Sequence, residues 1–421
     1  MLCQFSVKNF KSFHEEATLD LQATSITEHE DNIIVDSRDG ERFLPLAAVY
    51  GPNGSGKSNI ISAFNALRNK IMRPLCAVCD NKDCFQIHKG KSPVIPFKFN
   101  SESLNEPTLF EVFFRTSQAE YKYNLSVKNE IILNESLSKS NFKGKNIIKL
   151  FTRENKNIKL NKSVFKKVST SGITESLPLL SYLGITNKDL DVIKEIINWF
   201  EREIHLMNYG NPHNEANVSI FDSKKDKQLV LEMLEEMDID IKDYRIEEKE
   251  DNDISVYFKH VVNNLEKELE LHEESNGTIK LFGLLPFIIN SINSGSTLIV
   301  DELDSKLHPK LLQYIIELFR DSHKNIKGAQ LIFTSHDMVT MTSDLFRRDE
   351  IWFVAKNNEQ SSQLYSLVEF VKENGNQPRK DEKFGKQYIE GRYGADPYLK
   401  RMINWEEKYE SQQTMEKAEK D

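Results

Sequence analysis

The sequence predicts an α/β fold, and three short stretches carry that prediction. Each is an apolar run that ends in residues suited to phosphate chemistry: "LAAVYGPNGSGKS", "STLIVDE" and "AQLIFTSHD". Short apolar runs bounded by turn signals read as buried strands. Open α/β sheets gather ligands at the carboxyl ends of such strands. A mixed sheet flanked by helices is therefore expected, with the chemistry along one edge.

Length and composition bound the rest. The chain has 421 residues, more than one core usually fills, so either one large domain with an insertion or two domains is expected. A 39% hydrophobic and 29% charged composition is that of a globular chain, and no apolar run approaches membrane-spanning length. The opening "MLCQFSVKNF" lacks a basic region followed by a long apolar stretch, so a cytoplasmic location is expected. The formal net charge of −9 argues against a surface that coats nucleic acid, although a local basic groove is compatible with it.

Taken in order, the first strand expected at a ligand edge is Leu46 to Tyr50. Gly51, Gly56, Lys57 and Ser58 follow it in the pattern G-x-x-x-x-G-K-[ST], and Ile60, Phe64, Leu67 and Ile71 share one face of the helix beyond. In such a loop Asn53, Gly54, Ser55 and Gly56 wrap the backbone around phosphate oxygens, where N–H groups and the helix N-terminus concentrate positive potential. Lys57 would neutralise the β- and γ-phosphates of ATP, and the Ser58 hydroxyl would ligate Mg²⁺. A glycine-rich turn without a ligand is the alternative; the strand before and the helix after disfavour it.

Next comes "CAVCDNKDCFQIH", in which Cys76, Cys79, Cys84 and His88 are spaced C-x2-C-x4-C-x3-H. Thiolates and an imidazole this close would close a tetrahedral Zn²⁺ site, with "DNKD" as the turn. A polar surface loop with free thiols is the other reading. Alternating strand candidates follow at "TLFEVFFRT" and "YKYNLSV". From about 150 to 245 the character changes: Ile193, Ile196, Ile197 and Phe200 mark one amphipathic helix, and Val230, Met233, Leu234 and Met237 another. "RIEEKEDNDISVYFKHV" then reads as strand, charged turn and strand.

"EESNGTIKLFGLL" places Ser275, Asn276, Gly277 and Thr278 before an apolar helix candidate, a second possible phosphate-binding N-terminus or an ordinary cap. Gly283 and Pro286 predict a kink or an early break there. At the end of the next strand, Asp301 would hold Mg²⁺ and Glu302 would polarise an attacking water. His336 ends the third strand, placed to sense a γ-phosphate. The tail "YLKRMINWEEKYESQQTMEKAEKD" is polar beyond Trp405 and reads as a solvated helix.

Together these residues resemble the ABC-type ATPases of the SMC, RecF and overcoming-lysogenisation-defect group. More narrowly, "HEESNGT", "IVDELDSKLHP", "QLIFTSHD", "RRDEIWFVAK" and "KQYIEGRYGADP" resemble AAA-family ATPases of bacterial abortive-infection and phage-defence systems, of the AbiL and RloA type. The resemblance implies an ABC-type head over 1–150 and 246–398, an inserted mainly helical lobe over 151–245 and a charged tail over 399–421. It implies that Ser275 and Gly277 complete the ATP site of a second copy, so that the chain works as a homodimer or higher oligomer. It places Lys11 of "FSVKNFKSF" beside the nucleotide and supplies no firm glutamine for the Q-loop, Gln118 being one candidate and a hairpin residue the other reading. It further implies an ATP-hydrolysing sensor or regulator that controls a separate effector nuclease or toxin. The rival reading is a repair ATPase that clamps DNA, favoured by the basic run Lys139 to Lys167 and opposed by the net charge and the absence of coiled-coil arms.

Overall fold

A computed structural model describes residues 1–76, 94–142, 146–208, 224–248, 254–371, 375 and 377–395. In chain order the strands are Leu2–Lys8 (β1), Ala17–Asp20 (β2), Ile34–Val35 (β3), Arg42–Phe43 (β4), Leu46–Tyr50 (β5), Thr108–Arg115 (β6), Glu120–Lys128 (β7), Ile131–Ser140 (β8) and Ile148–Glu154 (β9). They continue as Asn157–Leu160 (β10), Ile204–Asn208 (β11), Asp243–Glu248 (β12), Ile254–Val262 (β13), Leu265–Glu270 (β14), Thr297–Asp301 (β15), Gln330–Thr334 (β16), Ile351–Lys356 (β17) and Ser362–Ser366 (β18). The helices are Lys57–Cys76 (α1), Leu179–Thr186 (α2), Asp191–Arg202 (α3), Lys224–Glu236 (α4), Asn276–Ser294 (α5), Pro309–Arg320 (α6) and Phe384–Ile389 (α7).

All three strands expected at the ligand edge lie in one six-stranded sheet, ordered β11-β15-β16-β5-β17-β18. Its strands run parallel except for the antiparallel β17–β18 pair. The carboxyl ends of β5, β15 and β16 therefore open on the same side, as parallel register requires. Along β5 the side chains alternate between two cores: Ala47 and Val49 join one, Leu46, Ala48 and Tyr50 the other. Both faces of the strand are buried, which explains an unbroken apolar run in place of polar alternation.

One core lies between this sheet, α1 and a second, seven-stranded antiparallel sheet ordered β10-β9-β8-β7-β6-β1-β2. Ile60, Phe64, Leu67 and Ile71, spaced along one helical face, fill it, so the helix behind the glycine-rich loop is anchored on both sheets. Trp199 of α3 stacks on Phe114 of β6 at 4.0 Å between centroids and is fully buried. The carboxylate of Glu135 on β8 accepts from Leu179 N and Leu180 N at 2.6 and 2.9 Å, capping the start of α2. The other core joins the opposite face of the parallel sheet to α4, α5, α6 and the three-stranded sheet β12-β13-β14.

The described residues within 151–245 include α2, α3 and α4, and also strands that join the larger sheets: β10 extends the antiparallel sheet and β11 pairs in parallel with β15. Of the kink or early break expected at Gly283 and Pro286, the early break is corrected, because α5 runs from Asn276 to Ser294 with the proline inside it. Leu281, Leu284, Leu285, Ile288 and Ile289 are buried on both sides of the proline, and that burial outweighs one missing hydrogen bond. Gly295, with φ of 79°, then ends the helix in the left-handed conformation. The segment "YIEGRYGADP" begins as the packed turn its glycines suggest: Tyr388 and Tyr393 are buried and Tyr388 stacks on Phe353. Arg392 is exposed and pairs with Glu390 at 2.9 Å. Residues 396–421, including the whole of the charged tail, lie outside the described residues. Among the described residues no helix is long and apolar enough to cross a membrane.

Candidate phosphate-binding and hydrolytic site

The loop Gly51–Ser58 leaves β5 and enters α1 at Lys57. Two of its glycines, Gly51 and Gly56, are required by close neighbours. A Cβ on Gly56, whose φ is 107°, would stand 2.4 Å from Ser12 Oγ and 2.6 Å from Ser362 Oγ; one on Gly51 would stand 2.4 Å from Val354 O. Ser12 and Ser362 therefore wall the loop from two distant parts of the chain. Ser362 N donates to Ser12 O at 2.7 Å, and Asn59 Nδ2 donates to Ser12 Oγ at 2.7 Å. Ser362 Oγ donates to Ser55 O at 2.5 Å, closing the wall on the loop itself. Asn53 and Gly54 are exposed at the loop tip, and Ser58 is half-buried in the first turn of α1.

Lys57 is buried, and its ammonium donates to Gly51 O at 2.8 Å and Pro52 O at 3.2 Å. Burial pushes it down to about 8, against the opposing pull of Asp301, Glu302 and Asp304. Ser55 Oγ is buried without a hydrogen-bond partner. A cation resting on neutral carbonyls, an orphaned hydroxyl and a cradle that a Cβ would fill fit a nucleotide's phosphate groups.

Lys11 sits in the tight turn after β1, where Phe10 N and Phe13 N each donate to the other's carbonyl at 2.8 Å. Its φ of 48° is left-handed. Burial pushes its ammonium down and Asp301 pulls it up, so it shares the field of the β15 end.

The carboxylates emerge from β15. Asp301 is buried and its Oδ1 accepts from Thr334 Oγ1 at 2.6 Å. Glu302 is exposed with φ of 53°, and its N–H donates to the same hydroxyl at 2.7 Å. Leu303 N donates to Thr334 O at 3.1 Å, and His336 N to Asp304 Oδ2 at 3.0 Å, so the exits of β15 and β16 are stitched together. Partial desolvation by its neighbours and then the Lys57 cation push the His336 ring below its ordinary value, against Asp304, Glu302 and Asp301. Lys57, Asp301, Glu302 and His336 thus sense one another across three neighbouring strand ends.

Ser275 caps α5: its Oγ accepts from Thr278 N at 3.1 Å and lies 2.8 Å from Thr278 Oγ1. Ser275 and Asn276 are exposed, and a Cβ on Gly277 would meet Lys306 O at 3.2 Å. The sequence did not point to Lys280, one turn further along α5. It is buried and donates to Glu302 O, Leu303 O and Ser305 O at 2.9, 2.8 and 2.6 Å. Burial pushes it down to about 8, against Asp304 and Glu302. A single lysine inside "TIKLFGLLPFII" was the signal that could have found it. Ser12 and Ser362 carried no such signal.

Gln118 lies exposed in the turn between β6 and β7, its N–H donating to Thr116 Oγ1 at 3.2 Å, which is the hairpin reading. The side chain of Cys76 and the whole of Cys79, Cys84 and His88 lie outside the described residues. Among the described residues no group of three or more His, Cys, Asp and Glu is placed to hold a metal ion.

A glycine-rich loop between strand and helix, with carboxylates at a parallel neighbour's end, defines a P-loop nucleotide-binding protein. The family described as "AAA domain, putative AbiEii toxin, Type IV TA system" matches residues 46–342, and the chain belongs to that family. No curated protein matches the chain. Among solved structures, "Crystal structure of the SmcHead bound to the C-winged helix domain of ScpA" is similar with a TM-score of 0.43 and 14% identity, over 87% of this chain and 97% of that one.

Proposed function

We propose that this chain binds and hydrolyses ATP as the regulatory or sensor subunit of an abortive-infection system, working as a homodimer or higher oligomer that controls a separate effector nuclease or toxin. The observation that carries the reading is the meeting of Lys57, Asp301, Glu302 and His336 at three adjacent strand ends. The family's description, which names a toxin and a type IV TA system, supports the link to an effector.

In this reading the N–H groups of Asn53 to Ser58 and the Lys57 ammonium bind the phosphates, and Ser58 with Asp301 holds Mg²⁺. When bound, Mg²⁺ would supply positive charge to the phosphate oxygens. Lys57 exchanges the carbonyls of Gly51 and Pro52 for phosphate oxygens, a swap of neutral for charged acceptors. Glu302 takes the proton of the attacking water at its carboxylate, and His336 hydrogen-bonds the γ-phosphate. Lys11 adds a cation beside Asp301. Ser275 and Gly277, at an exposed helix N-terminus, would meet the ATP of a second copy. A difference in contact between ATP and ADP at these groups would then shift the dimer between closed and open forms. A zinc site at Cys76, Cys79, Cys84 and His88 remains part of the proposal, tested by elemental analysis of purified protein.

The test is Glu302→Gln with Mg-ATP. Phosphate release should collapse while nucleotide stays bound, and the variant should elute as a dimer and carry its protein partner through affinity purification. Full turnover in the variant would remove Glu302 as the base. Abundant copurifying DNA with no protein partner would favour the DNA clamp.

A further inference from the structure

We propose that Thr334 is a positioning residue for hydrolysis, its single hydroxyl fixing both the Asp301 carboxylate and the main chain of Glu302. The inference rests on the reading of Asp301 and Glu302 given above. Direction is forced by chemistry. The amide of Glu302 can only donate, so the Thr334 oxygen must accept at 2.7 Å, and its one proton is then directed at Asp301 Oδ1, 2.6 Å away. Thr334 has no exposed surface and sits inside the parallel sheet, so it holds both partners from a rigid platform.

What it holds is strained. Glu302 has φ of 53°, a left-handed conformation that a side-chain-bearing residue keeps only when its surroundings enforce it. Thr334 enforces it from the N–H side, while Lys280 holds the Glu302 carbonyl from α5. The Thr334 carbonyl also accepts from Leu303 N at 3.1 Å, extending the grip by one residue. A threonine that only filled space would need its methyl and not its hydroxyl. This hydroxyl reaches the Asp301 carboxylate itself and the main-chain N–H of Glu302, from which the second carboxylate projects.

The experiment compares Thr334→Val, which keeps the shape and loses the hydroxyl, with Thr334→Ser, which keeps the hydroxyl. Wild type and Glu302→Gln serve as references. Phosphate release is followed against ATP and against Mg²⁺, with binding of a fluorescent ATP analogue measured in parallel. Thr334→Val should lose about 10- to 100-fold in kcat, the range for groups that orient a metal ligand, with KM for ATP within about twofold and a higher half-saturating Mg²⁺. Thr334→Ser should recover most of the rate. Should Thr334→Val not fold, Thr334→Ala against Thr334→Ser reads the same hydroxyl. Wild-type kcat and Mg²⁺ requirement in Thr334→Val, with Glu302→Gln inactive, would overturn this inference alone. So would equal losses in the Val and Ser variants. A wild-type protein no faster than Glu302→Gln would overturn the functional reading and this inference with it.

Discussion

Raising the pH should weaken ATP binding far below the range in which an ordinary lysine titrates. Lys57 is pushed down to about 8 by burial, and the carboxylates of Asp301, Glu302 and Asp304 only partly compensate. Binding needs the ammonium form, so above that value the protein must take up a proton as ATP arrives, and affinity falls as pH rises. With a value of about 8, about nine-tenths of the molecules carry the charge at pH 7 and about one in eleven at pH 9. Affinity should then drop about tenfold, or about 1.4 kcal/mol, across that interval. A lysine at its ordinary value would give an almost flat response, and the terminal phosphate of ATP is already ionised through most of this range. The assay is a fluorescent-nucleotide titration at constant ionic strength, without Mg²⁺, at half-unit steps. Calorimetry at pH 8.5 in two buffers of different ionisation enthalpy should register uptake of about three-quarters of a proton. Lys57→Arg keeps its charge throughout and should flatten the slope, whatever its absolute affinity. Unchanged affinity to pH 9 in the wild type would refute the argument that burial controls this cation.

Gly56→Ala should abolish nucleotide binding while leaving far-ultraviolet circular dichroism unchanged, because the added methyl meets the Ser12 and Ser362 hydroxyls and the local φ of 107° disfavours a side chain. Lys280→Met removes the donor shared by three carbonyls and should lower stability by about 3 kcal/mol in urea unfolding. No change in the midpoint would mean that the loop finds other donors. Trp199→Ala should cost about 3–5 kcal/mol, since the ring is wholly buried and stacked on Phe114. Retention of the native midpoint would contradict the packing described for that core.

The strand before the loop was legible to the residue because burial on both faces leaves an uninterrupted apolar run at Leu46–Tyr50. The apolar runs before Asp301 and His336 were legible for the same reason, since Leu298–Val300 and Leu331–Phe333 are buried throughout, although β15 and β16 each extend one residue further at both ends. Helices α3 and α4 were visible through their apolar faces, since Ile193, Ile196, Phe200, Val230, Met233 and Leu234 recur at helical spacing. Pro286 does not end the helix as an early break would, because a breaker is a local signal and it was outweighed by apolar contacts to distant strands. The order of the antiparallel sheet had no local signature: β1 pairs with β2 and with β6, and nothing within Leu2–Lys8 specifies that second partner. Ser362 illustrates the limit most directly. An ordinary serine in an alternating strand touches the phosphate loop only because β17 is laid beside β5 and β18 turns back along it.

That wall also places the nucleotide pocket in time. Leu46 pairs with Leu331, and Ala48 with Ile351, so the strand that precedes the loop has no neighbours of its own until most of the chain has been made. Contacts this far apart in sequence form late and slowly. A ribosome that has passed Ser58 has produced every residue of the loop, yet Ser362 has still to be added before the far side can close. Chains stalled before Ser362 should therefore fail to retain ATP on a filter that captures the full-length protein. Nucleotide capture becomes a property of chains extended past Ser362, and fragments released before that point should be inert toward ATP.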